Sequence, residues 1–89
     1  MIMDNNSIEK IVKRILTKRF RARGLSLKLE NSDSMIVSGM LDSLGAIELV
    51  AELEKTFGIK IKPEEMTESN FDTILSTTEF IGAKLKNGD

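Results

Sequence analysis

Apolar residues recur at helical spacing in three stretches of the chain. In the first, Ile8, Ile11, Val12, Ile15 and Leu16 share one face of an amphipathic helix. Ser7 is a good N-cap for it, so the helix is expected to start after Ser7. It is expected to end before Gly24, where a left-handed residue can close a helix. The next stretch lacks this period. Leu25, Leu27 and Leu29 alternate, and Asn31-Ser32-Asp33-Ser34 is rich in turn formers. With no other strand to pair with, residues 25–41 read as a long loop pinned by Leu27, Leu29, Ile36 and Leu41. Loops of this length in small domains are uncommon and often functional.

The second helical stretch is the clearest. Ser43 can serve as N-cap, Phe57 ends the pattern, and Gly58 follows at the position that left-handed caps favour. At about 100° per residue this helix carries two apolar stripes. Leu49, Val50, Leu53 and Phe57 form one, and Leu44, Ile47 and Ala51 form the other, bordered by Glu48 and Lys55. The first stripe is a core face. The second is either more core or a surface that meets partner proteins or a bound chain, because a small domain has few helices with which to cover both.

Beyond Gly58 the run Ile59-Lys60-Ile61-Lys62-Pro63 is expected to be extended, since Pro63 keeps Lys62 out of helical geometry. A short helical turn is expected near 69–71. The last helix has two possible starts. Ser76-Thr77-Thr78-Glu79 reads as a capping box with Leu75 and Phe80 as its hydrophobic staple, and Thr73 is the other candidate cap. Ile74, Ile81 and Leu85 supply the buried face in both cases. The pattern predicts an all-α fold of three longer helices and one short helix, with a long first loop.

Composition narrows the chemistry. The 89 residues suffice for one domain, 1–89, with its core at about 8–85. There is no Cys, which excludes a disulfide, a thiolate nucleophile and Cys-ligated zinc. There is no His, which excludes the usual general base and the nucleophilic triads. An independent enzyme is therefore not expected, and neither a catalytic residue nor a metal site is assigned. No apolar run approaches the ~20 residues that span a bilayer, and the polar start lacks the apolar stretch of a signal peptide. The cytoplasm is the expected location, without membrane insertion.

Charge is unevenly spread. Residues 1–29 hold eight bases and two acids, net +6, whereas residues 30–79 hold three bases and eleven acids, net −8. The basic run Lys10, Lys13, Arg14, Lys18, Arg19, Arg21 and Arg23 admits three readings: a nucleic-acid or anionic-membrane surface, a docking patch for an acidic partner, or charge balance against the acidic half. No aromatic stacking set accompanies it, so nucleic acid is not expected as a partner.

A serine at a helix start is ordinarily a cap and nothing more. The string around this one is longer: Gly39-Met40-Leu41-Asp42-Ser43-Leu44, continuing through Ile47-Glu48-Leu49, with Leu53-Glu54, Phe57-Gly58-Ile59 and Phe71-Asp72-Thr73-Ile74 further on. Together these resemble the acyl carrier protein family, whose phosphopantetheine-attachment motif has Asp-Ser-Leu at the start of its second helix. The resemblance covers roughly residues 8–85. It implies a four-helix bundle of acyl-carrier type and a 4′-phosphopantetheine arm on Ser43. A phosphopantetheinyl transferase would install the arm from coenzyme A with magnesium, the serine hydroxyl attacking the phosphate to give a phosphodiester. Asp42 matches the family's acid beside the serine, and Leu44 completes the motif. The implied function is a monomeric carrier that shuttles acyl or aminoacyl groups as thioesters, in fatty acid or secondary metabolite biosynthesis. Its implied partners are a loading ligase and a downstream acyltransferase or synthase.

By the same resemblance, partner contacts centre on the second helix, with Glu48, Glu52 and Glu54 as charged contacts and Leu44, Ile47 and Ala51 as apolar ones. Gly45 stands where housekeeping fatty-acid carriers usually have an acid, and Lys55 and Thr56 interrupt their acidic helix end. The chain is more similar to specialised carriers, of the D-alanyl or free-standing peptidyl type. A helical adaptor that keeps the fold but works unmodified is the other reading of the same pattern.

Overall fold

A computed structural model describes residues 4–22 and 43–87. The expected loop with its anchors Leu27, Leu29, Ile36 and Leu41, together with Gly24, Gly39, Arg23 and Asp42, lies outside the described residues. Among the described residues every element is helical. Helix α1 is Asn5–Ala22, α2 is Ser43–Phe57, α3 is Glu68–Phe71 and α4 is Ile74–Asn87, with a 3₁₀ turn at Pro63–Glu65. Three longer helices and one short one match the expectation, and the 3₁₀ turn is an addition to it.

The start of α1 differs from the sequence reading. The cap is Asp4, three residues before Ser7. Its Oδ1 accepts the Ser7 N–H at 2.8 Å and its carbonyl accepts the Ile8 N–H at 3.1 Å. The Ser7 N–H, and then the Ser7 side chain, hold the Asp4 carboxyl below its ordinary pKa. Asp and Ser are about equal as acceptors at a helix start, and the ionised carboxylate also complements the helix dipole.

Helix α2 ends as its sequence suggests. Gly58 has φ +67°, and the Glu54 carbonyl accepts both the Gly58 N–H at 2.9 Å and the Ile59 N–H at 3.2 Å. A residue with a Cβ would be strained in this left-handed position. The reversal sends residues 59–62 back extended, with Ile59 and Ile61 buried and Lys60 and Lys62 exposed. Lys62 has ψ 152°, as a residue preceding proline should, and Pro63 then opens the 3₁₀ turn.

Of the two possible starts for α4, Thr73 is the cap and Ser76 is not. Thr73 Oγ1 accepts the Ser76 N–H at 2.9 Å, and Ser76 Oγ accepts the Thr73 N–H at 3.2 Å, so each side chain satisfies the other's backbone. The Ser76 box fails because Thr77 and Thr78 are buried within the helix, while Leu75, its staple residue, is exposed. Buried Thr77 returns its hydroxyl to the Thr73 carbonyl at 2.8 Å.

The core joins Ile8, Val12, Ile15 and Leu16 of α1 to Leu49, Val50 and Leu53 of α2, Ile59 and Ile61 of the extended segment, Phe71 of α3, and Ile74 and Ile81 of α4. Each fully buried side chain of this size contributes roughly 1.5–3 kcal/mol. The first helix packs against α4, and α3 rests on α4. Near the chain ends the approach is close, since a Cβ built on Gly82 would lie 2.7 Å from Asn5 Oδ1. Phe71 and Phe80 meet edge to face, ring centres 5.2 Å apart. Lys84 is buried, with its Nζ 2.6 Å from Glu65 Oε1 and 5.8 Å from the centre of the Phe80 ring. The Lys84 ammonium, and then the Lys62 N–H, hold the Glu65 carboxyl below its ordinary pKa.

Candidate functional site

Helix α2 resolves its two apolar stripes into different environments. Leu49, Val50 and Leu53 are buried, and Phe57 packs partly against the same core. On the opposite side Leu44 is 67% exposed, Ile47 is 57% exposed, and Ala51 is exposed with them. Residues 44, 47 and 51 are spaced to share one side of a helix, so these side chains form a short apolar strip at the surface. The strip starts in the first turn of α2, beside Ser43. Of the two sequence readings, the surface is the one found.

The three glutamates expected beside the strip are all engaged within the fold. Glu48 and Glu52 are one turn apart and both meet Arg19 of α1. Nη2 of the guanidinium lies 3.2 Å from Glu48 Oε1, and Nη1 donates to Glu52 Oε1 at 2.9 Å. On the other edge of the strip, Glu54 Oε2 accepts the Ile61 N–H at 2.8 Å and so ties the extended segment to α2. Glu48 remains largely open to solvent, whereas Glu52 and Glu54 are half-buried.

Ser43 is the first helical residue of α2, one place inside the cap position assigned to it from sequence. The start of a helix presents unpaired N–H groups and a partial positive charge, an arrangement suited to phosphate. No acidic residue occupies the first turn of α2. That turn therefore adds no negative charge against a phosphodiester at residue 43, and the exposure of Leu44 keeps the surface next to it open. These features fit the arm that the resemblance implies.

Two features escaped the sequence reading. Arg19 falls eleven residues after Ile8 and four after Ile15, in line with the buried stripe of α1, where a base must find a partner. That register was the available signal. Lys84 lies three residues after Ile81 and is buried as deeply as its apolar neighbours, and only tertiary proximity to Glu65 explains it.

Comparisons with known proteins fit this geometry. A sequence profile described as the phosphopantetheine attachment site matches residues 24–81, about two thirds of the chain. The D-alanyl carrier proteins of Streptococcus pyogenes serotype M5 (strain Manfredo), serotype M49 (strain NZ131) and serotype M1 are each 40% identical to it over 42 residues. That alignment takes in 47% of this chain and 53% of each relative. The chain thus spans about half the length of the curated relatives it matches.

Proposed function

The chain belongs to the phosphopantetheine-attachment family, and from that premise we propose that it is a carrier whose Ser43 holds a 4′-phosphopantetheine arm. The observation that carries the reading is the position of Ser43, which opens α2 inside the matched span 24–81 and is preceded by Asp42. When attached, the arm supplies the thiol that a chain without cysteine lacks.

The residues of the chain divide the remaining work. The N–H groups at the start of α2 stabilise the phosphodiester, and Asp42 serves the transferase during attachment. Leu44, Ile47 and Ala51 are the contact strip for enzymes that load and unload the arm. Acyl or aminoacyl groups travel as thioesters, and the D-alanyl carriers among the relatives favour an aminoacyl cargo. The partners are a phosphopantetheinyl transferase, a loading ligase and a downstream acyltransferase or synthase. The chain itself catalyses nothing and works as a single monomeric domain in the cytoplasm. No helix among the described residues is long and apolar enough to cross a membrane.

Incubation with a broad-specificity transferase, magnesium and coenzyme A, followed by intact mass measurement, tests this. Wild type should gain one phosphopantetheine and Ser43→Ala none. Should wild type gain nothing from several transferases, the unmodified adaptor replaces the carrier.

A further inference from the structure

Arg19 is half-buried, whereas Lys10, Lys13, Arg14 and Lys18 of the basic run are exposed. Its guanidinium reaches across to α2 and gives one nitrogen to each of two carboxylates that would otherwise repel one another a turn apart. The shallow hollow they form is lined by Arg19, Glu48, Ala51, Glu52, Lys55 and Thr56, so among the described residues its two acids are matched by two bases. Seen from beyond a Debye length of about 8 Å, such a patch has little field with which to attract a basic surface. Glu54, at the far edge, is bound to the Ile61 N–H. What α2 leaves uncommitted is the strip Leu44, Ile47 and Ala51.

We propose that Arg19 is a specificity-determining residue of this face. By pairing with Glu48 and Glu52, it neutralises them as handles for a basic partner. The helix is then recognised by enzymes that meet Leu44, Ile47 and Ala51 with an apolar surface. The inference rests on the carrier reading for the identity of those enzymes, but the masking of the carboxylates can be measured without it.

The test uses the full chain and a fluorescein-labelled deca-lysine peptide, with binding read by anisotropy. At about 20 mM salt, R19Q should bind the peptide about three- to tenfold tighter than wild type. The gain should vanish in R19Q/E48Q/E52Q and at about 300 mM salt. E48Q/E52Q should weaken binding clearly less with Arg19 present than in the R19Q background, since Arg19 already occupies those carboxylates. K18Q alters net charge equally without freeing a carboxylate, and its effect should be clearly smaller than that of R19Q. R19K, which keeps the charge, should stay near wild type. If circular dichroism shows R19Q unfolded, R19M takes its place in every comparison. The proposal is overturned if E48Q/E52Q weakens binding as much with Arg19 present as in the R19Q background, or if K18Q matches R19Q.

A second arm measures kcat/KM for phosphopantetheine transfer. L44A/I47A should lower it several-fold while E48Q/E52Q stays within about twofold of wild type; the reverse pattern overturns the proposal. No transfer to wild type at all would defeat the carrier reading, while the peptide arm would still decide the role of Arg19.

Discussion

The two sides of α2 are built from the same kinds of residue and do different things. Leu49, Val50 and Leu53 face α1, α4 and the returning segment of Ile59 and Ile61, and are sealed from water. Leu44, Ile47 and Ala51 lie opposite and meet solvent. Burial stabilises the first set through the area removed from water, whereas the second set leaves that gain available to a partner. An apolar residue thus acquires its role from what lies across from it. On this helix the acids at the boundary are paired within the fold, so the contrast between the faces is one of apolar contact more than of charge.

Substitutions can break or sharpen this contrast. Leu53→Ala should have the largest effect, a loss of about 2–5 kcal/mol in urea unfolding, since Leu53 is 0% exposed and a cavity would remain. That is a large share of the stability a small domain has. Glu54→Ala should cost about 1–2 kcal/mol by the same measurement, because the buried Ile61 N–H would lose a charged acceptor. A stability equal to wild type would place Glu54 with the partner face instead.

Acid should act more gently, at Asp4 and Glu65. The carboxyls of Asp4 and Glu65 are both held below their ordinary values of 3.8 and 4.5. Their contribution is therefore complete above those values and is lost as pH falls through the lower folded ones. Thermal unfolding from pH 6 to pH 3 should show declining stability, and Asp4→Asn with Glu65→Gln should flatten the decline. The smallest stability change belongs to Ile47→Ala, within about 0.5 kcal/mol of wild type. The same variant should slow arm attachment, whereas a role in the core would give the opposite pair of results.

Much of this was legible from spacing. The stripes of α2, its end at Gly58 and the extended run before Pro63 follow from local pattern and backbone chemistry, and the fold keeps them. Choices between neighbouring caps were harder. Ser7 and Asp4 both suit a helix start, and so do Ser76 and Thr73; the ionised carboxylate of Asp4 complements the dipole of α1, and buried Ile74 and Thr77 draw the start of α4 back to Thr73. Pattern and motif both put Ser43 at the start of α2, where it is the first helical residue and not the cap. The bonds of Arg19 to Glu48 and Glu52, and of Lys84 to Glu65, join residues 29, 33 and 19 positions apart, and no periodicity within a helix encodes such distances.

The close approach of Asn5 to Gly82 has a practical consequence. It brings the first turn of α1 beside the last turns of α4, so a linker of a few residues would suffice to join the two helices. Circular permutants opened at another exposed site should fold. The domain could likewise be spliced as a cassette into a surface loop of a host protein without prising the host apart.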